Sequence, residues 1–165
     1  MAIPFVAILM GSDSDSATMQ NTVEILKKFH IPFEVKIASA HRTPQMTQQY
    51  IHDAEARGCA VFIAAAGLAA HLAGTIAAHT LKPVIGVPMD GGSLNGLDAL
   101  LSTVQMPGGI PVACVAIGKP GAKNAGYLAA QILALSDPEL AAQLRKERDQ
   151  NAADIMAKNE SLSIG

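Results

Sequence analysis

Two rhythms alternate along this chain. Short, predominantly apolar runs at residues 3–10, 33–38, 59–65, 83–87 and 112–117 are separated by stretches in which apolar residues return every three or four positions. The runs predict strands and the stretches predict helices, because a strand covered on both faces needs no polar alternation, whereas a helix lying on a sheet shows the core only one stripe. Met19, Val23, Ile25, Leu26 and Phe29 trace a first helix over residues 17–29, ended by His30-Ile31-Pro32. A second runs from Pro44 to about Arg57 with Gly58 as its stop. Thr43 is its expected cap, since a cap hydroxyl satisfies an orphan amide and Pro at the first position loses no bond. Further helices are predicted from the turn at residues 67–74 to Thr80, over residues 97–104 and over residues 124–135. The last covers residues 139–158, charged on one side with Leu140, Leu144, Ile155 and Met156 on the other.

Five strands alternating with helices, read as apolar throughout, predict an α/β fold: a three-layer αβα sandwich with a flavodoxin-like, parallel five-stranded sheet and a C-terminal helix. No repeat, linker or low-complexity segment divides residues 1–165, so they are expected to form a single domain. In such folds ligands sit beyond the carboxyl ends of the strands. Four polar or Gly-rich clusters each follow a strand: Ser12 and Asp15 the first, Ser39, His41 and Arg42 the second, Gly67, Leu68, Ala70 and His71 the third, and residues 90–95 the fourth. The topology therefore gathers all of them on one edge.

The chemistry that this edge offers begins at Ser39-Ala40-His41-Arg42-Thr43-Pro44, where a titratable ring, a fixed cation and a helix N-terminus share a small volume. Arg42 suits a phosphate by its fork geometry. His41 suits either a general acid/base or a histidine that only caps or packs, and the residues alone leave both open. The turn at residues 11–15 presents hydroxyls and amides to a phosphate or ribose, although an ordinary capped helix uses the same residues. It is not a dinucleotide fingerprint, and no Gly-Lys-Ser/Thr phosphate loop occurs. His71 is expected one turn into the third helix, where a buried, hydrogen-bonded histidine competes with a catalytic one. His30, His52, His79, Asp13, Asp90 and Asp98 lack metal-ligand spacing, so no metal site is expected. Gly91-Gly92 and Gly108-Gly109 read either as turns or as places where backbone closes over a ligand.

Composition narrows the partners. A net charge of -2 without a Lys/Arg cluster argues against nucleic acid. Cys59 and Cys114 lie in separate apolar runs and support neither a disulfide framework nor zinc, which fits a reducing compartment, the cytoplasm. Residues 1–10 lack a basic start and a cleavage pattern and read as a strand rather than a signal peptide. Residues 59–81 carry no Asp, Glu, Lys or Arg and are long enough to span a bilayer, but Gly67, His71, Gly74 and His79 interrupt them, and a buried strand followed by a buried helix accounts for them without a membrane.

The chain resembles the bacterial-type N5-carboxyaminoimidazole ribonucleotide mutases of purine biosynthesis through nearly its whole length. The resemblance rests on Met10-Gly11-Ser12-Asp13-Ser14-Asp15, Ser39-Ala40-His41-Arg42-Thr43-Pro44, Ala69-Ala70-His71-Leu72, Gly86-Val87-Pro88 and Ser102-Thr103-Val104-Gln105-Met106-Pro107-Gly108-Gly109-Ile110-Pro111-Val112. It implies interconversion of N5-carboxyaminoimidazole ribonucleotide and 4-carboxyaminoimidazole ribonucleotide without metal or organic cofactor. By the same resemblance His41 is the general acid/base, Ser12, Asp15, Ser39 and Arg42 bind the ribonucleotide, and Gly67, Leu68, Ala70 and His71 form the loop around a CO2 pocket. A homo-octamer is implied, its C-terminal helix packing on a neighbouring subunit, with a transient handover from the synthetase that makes the carbamate. Leu68 stands where many relatives carry Gly, and Ala73 where they carry Pro. Two other readings remain: direct carboxylation of aminoimidazole ribonucleotide by CO2, and a non-catalytic flavodoxin-like phosphate or nucleotide sensor.

Overall fold

A computed structural model describes residues 4–163; Ile3, the first residue of the expected first strand, lies outside them. The elements are β1 (Phe5–Met10), α1 (Ser16–Lys28), β2 (Phe33–Ile37), α2 (Pro44–Ala56), β3 (Cys59–Ala66), α3 (Leu72–Ala77), β4 (Val84–Pro88), α4 (Leu97–Val104), β5 (Ala113–Cys114), α5 (Lys119–Ala134) and α6 (Pro138–Glu160), with a short 3-10 turn at Asp13–Asp15. The strands form one parallel sheet in the order β2-β1-β3-β4-β5, the flavodoxin-like arrangement. The chain divides after Ala130 into two compact units: the first holds the sheet, the second the end of α5 and α6.

Every residue of β1 is buried, as a central strand requires. Its alternate side chains serve two faces. Phe5, Ala7 and Leu9 join Phe62 and Ala64 of β3 against Tyr50, Ile51 and Ala54 of α2 and Leu72, Ala73 and Ile76 of α3. Val6, Ile8 and Ile63 are buried on the other face, where α1 meets α5: the Thr22 hydroxyl donates to the Ala122 carbonyl at 2.6 Å, and a Cβ on Gly126 would stand 2.9 Å from that of Ile25. Each fully buried Ile, Leu or Phe contributes about 1.5–3 kcal/mol.

Four expectations need correction. β2 is not apolar throughout: as a rim strand it alternates Glu34 and Lys36 with Val35 and Ile37, and the last two are 42% and 53% exposed. α3 ends at Ala77 rather than Thr80, because His79 N–H closes a tight turn on the Ile76 carbonyl and Thr80 spends its hydroxyl on Glu55 and on the Lys82 N–H. β5 pairs over only two residues, and α5 starts at Lys119, not Asn124. The chain turns away so sharply that a Cβ on Gly121 would lie 1.6 Å from the Ala116 carbonyl oxygen, and Pro120 is tolerated in a first helical turn. On α6, Leu140 is buried and Ile155 and Met156 are largely exposed, which leaves the expectation that this helix packs on a neighbouring subunit unchanged.

No helix among the described residues is long and apolar enough to cross a membrane, and the uncharged stretch at residues 59–81 is β3 followed by the six-residue α3. Cys59 and Cys114 are free thiols, and burial pushes Cys59 up to about 11.

Candidate active site

The loops that leave β1, β2, β3 and β4 meet on the carboxyl edge of the sheet. After β1, Gly11 donates its N–H to the Ala65 carbonyl at 3.0 Å, and its own carbonyl accepts from Nη2 of Arg42 at 3.0 Å. Arg42 therefore reaches back across the edge to the first loop, and among the described residues it has no carboxylate partner, so its charge is available to a ligand. Ser12 caps the 3-10 turn, its hydroxyl oxygen accepting from the Ser14 N–H at 3.3 Å and from the Ser14 hydroxyl at 3.0 Å. Asp15 opens α1 without capping it. Burial, above all, pushes the Asp15 carboxyl above its ordinary value, with the charges of Asp13 and Asp90 adding to it against hydrogen bonds from Ser14 and the Ser12 backbone. Asp90, at the end of β4, was not assigned to the site from the sequence, although the polar cluster that contains it was; only the fold brings its charge to Asp15.

The loop after β2 is organised by Ser39. Its hydroxyl accepts the Arg42 N–H at 3.1 Å, its carbonyl accepts the Thr43 N–H at 3.0 Å and the Thr43 hydroxyl at 3.2 Å, and its own N–H donates to Thr43 Oγ1 at 3.0 Å. Thr43 thus does not cap α2 as expected: its hydroxyl closes the loop upstream. The tightened loop holds His41 and Arg42 outward, and both are exposed.

The loop after β3 supplies the second imidazole. His71 is the exposed N-cap residue of α3, not a buried residue one turn in, and its Nδ1 lies 2.7 Å from Nε2 of His41, with the rings nearly perpendicular at 78°. This is hydrogen-bond distance for a pair in which one nitrogen carries a proton and the other a lone pair, the donor being set by the tautomers of the two rings. Leu68 adopts φ 55°. A Cβ on Gly92 would stand 2.4 Å from its Cδ2, so the leucine lies across the glycine and couples this loop to the one after β4. Gly67 backs onto Met89, and the buried Ala70 donates its N–H to the Ser102 hydroxyl at 3.0 Å. Gly92 and Gly109 take φ of 82° and 95°, so one glycine of each pair meets the conformation that a turn requires. His52 and His79 form a separate edge-on pair with centroids 6.2 Å apart, away from this edge's loops in sequence. Among the described residues no three His, Cys, Asp or Glu side chains are grouped to hold a metal ion.

Fold and site together define a class: a flavodoxin-like α/β protein with a histidine pair, an uncompensated arginine and a desolvated carboxyl at the carboxyl edge of a parallel sheet. The chain belongs to the family described as AIR carboxylase, whose model matches residues 5–154. It is 50% identical over 159 residues to the N5-carboxyaminoimidazole ribonucleotide mutase of Bacillus subtilis (strain 168), covering 96% of this chain and 98% of that protein. The Escherichia coli (strain K12) protein of the same name is 52% identical over 151 residues, 92% and 89% of the two chains. Among solved structures, Treponema denticola PurE matches with a TM-score of 0.88 at 32% identity over 98% of this chain and 99% of that one.

Proposed function

We propose that this chain interconverts N5-carboxyaminoimidazole ribonucleotide and 4-carboxyaminoimidazole ribonucleotide in purine biosynthesis, an intramolecular carboxyl transfer. The observation that carries the reading is the 2.7 Å contact between His41 and His71 on the same edge as Arg42, in a chain half identical to curated mutases. Arg42 and the amides and hydroxyl of the Ser12 turn receive the phosphate, and Asp15 accepts from the ribose hydroxyls. As the carbamate C–N bond breaks, His41 donates its proton to the departing nitrogen and CO2 is released into the pocket bounded by Gly67, Leu68 and Ala70. The enamine carbon C4 then attacks CO2, forming the C–C bond, and His41 takes the C4 proton, which returns it to its starting state. Atoms and charge balance without an outside reactant. Ser39 holds the loop that aims His41.

Residues 1–165 serve as one mutase domain that works as a homo-octamer in the cytoplasm, with α6 on a neighbouring subunit and the carbamate handed over transiently by its synthetase. Exposed apolar residues support association: Leu97, Leu101 and Val104 on α4 and Val35 and Ile37 on β2.

The test is conversion of the carbamate by purified protein without ATP or metal, beside His41→Asn, with aminoimidazole ribonucleotide plus bicarbonate as a parallel substrate. Turnover of the carbamate is expected to fall by about 10²–10⁴-fold in His41→Asn with ribonucleotide binding kept. Turnover of aminoimidazole ribonucleotide alone would place the protein among carboxylases, and binding without turnover of either would make it a sensor.

A further inference from the structure

The position of His71 is set from outside its own loop. Gly86 in β4 leaves room for α4 to approach the sheet: a Cβ there would stand 2.4 Å from Cγ2 of Thr103 and 3.0 Å from Cγ1 of Val112. Thr103 is buried, and its hydroxyl is satisfied within α4 by donating to the Ala99 carbonyl at 2.7 Å, so the close seat against Gly86 leaves no unpaired hydroxyl. The neighbouring Ser102 is thereby brought to the loop after β3. Its hydroxyl donates back to the Asp98 carbonyl at 2.7 Å and accepts the Ala70 N–H at 3.0 Å, one residue before His71. A serine in a helix normally spends its hydroxyl on its own backbone; here the oxygen also receives a buried amide from another element, next to the ring that meets His41.

We infer that Ser102 is a positioning residue for the proton-transfer pair: it fixes the backbone at Ala70 and so holds His71 Nδ1 against His41 Nε2. The inference rests on the mutase reading for its kinetic consequence, but not for its structural one. Among the described residues the Ser102 hydroxyl bonds to Ala70, Asp98 and Ala99 and not to Ser12, Asp15 or Arg42, so its loss is expected to show in the chemical step rather than in ribonucleotide binding.

The experiment compares Ser102→Thr with Ser102→Val, side chains of one shape that differ in the hydroxyl. Kinetics with the carbamate are read beside the imidazole 15N shifts of His41 and His71 in 15N-histidine protein, with His41→Asn and His71→Asn as assignment controls. Expected for Ser102→Val is a fall in kcat of about 10²-fold with KM within about twofold, since displacement of an aligned group by an ångström costs about that much. Its 15N shifts should show both rings returning to independent tautomer populations, while Ser102→Thr keeps the wild-type shifts and most of kcat. Equal kcat and equal shifts in the two variants would overturn the inference, as would a change confined to KM. If Ser102→Val does not fold, Ser102→Ala cannot overpack the site and is judged by the same two readouts. Absence of turnover in the wild-type protein would defeat the mutase reading alone, because the 15N comparison still decides whether Ser102 sets the pair.

Discussion

Two places along the same rim use an arginine and a carboxylate to opposite ends. On β2, Glu34 accepts from both terminal nitrogens of Arg57 and from the Tyr50 hydroxyl, the latter at 2.9 Å, while Arg57 lies over the Phe5 ring at 5.2 Å. The Arg57 hydrogen bonds hold the Glu34 carboxyl below its ordinary range, and burial with Glu34 beside it pushes the Tyr50 hydroxyl up. Every charge there is answered by a neighbour. Just past the end of β2, Arg42 meets only neutral oxygens, and Asp15 is pushed up because burial removes water without supplying a cation. The first arrangement is complete as it stands; the second leaves a guanidinium without a carboxylate and a carboxyl without a cation. The charged groups are the same in the two places; what differs is the surroundings, an arginine that lowers the Glu34 carboxyl and burial that raises that of Asp15.

The contrast can be broken most severely at Arg42. Arg42→Met should leave the protein folded and raise KM for the ribonucleotide by about 10²-fold, the loss of charge-assisted bonds to phosphate, measured by steady-state kinetics and by calorimetric binding. Asp15→Asn should have a mixed effect: about tenfold weaker binding, with a Tm about 1–3 °C higher at pH 7. The sign follows from the raised pKa: the folded protein prefers the protonated carboxyl, so ionised Asp15 costs stability at neutral pH and an amide does not. The gain should vanish as pH falls toward the ordinary value of 3.8, where wild-type Asp15 is also protonated. The smallest effect belongs to the completed pair. Arg57→Met should leave turnover unchanged and lower Tm by about 3 °C or less, a deficit that shrinks in high salt. It should also shrink as pH falls below the ordinary Glu34 value of 4.5, because the lowered carboxyl contributes stability only while ionised. A loss of turnover in Arg57→Met would erase the distinction between the two places.

Much of this was legible in the chain itself. Unbroken apolar runs marked β1, β3 and β4, where both faces are covered, and the order of strands and helices carried the parallel sheet and the common edge of its loops. β2 was read as covered because its position at the rim is a property of the sheet order, not of the residues in it. The Thr43 hydroxyl was assigned to the helix amides by local rules, whereas a nearer carbonyl and amide at Ser39 claimed it. His71 was placed one turn into the helix because residues 67–74 were read as turn and helix start together; the structure, with Leu68 in a left-handed conformation across Gly92, starts the helix only after His71. Ser102 opens one of the motifs that carry the resemblance, but its role was not legible, since a serine four residues after Asp98 in an apolar helix is ordinary, and its bond to Ala70 spans 32 positions of sequence.

The uneven length of the outer strands bears on how this protein fails when it begins to unfold. On one side the ladder ends in two paired positions, Ala113 with Ile85 and Cys114 with Gly86, too few to template a foreign strand. On the other side β2 runs in register with β1 over five residues and carries the exposed Val35 and Ile37, with Lys36 between them. Among the described residues β2 is therefore the rim long enough to recruit another chain edge to edge, and the charge of Lys36 is what stands against aggregation there.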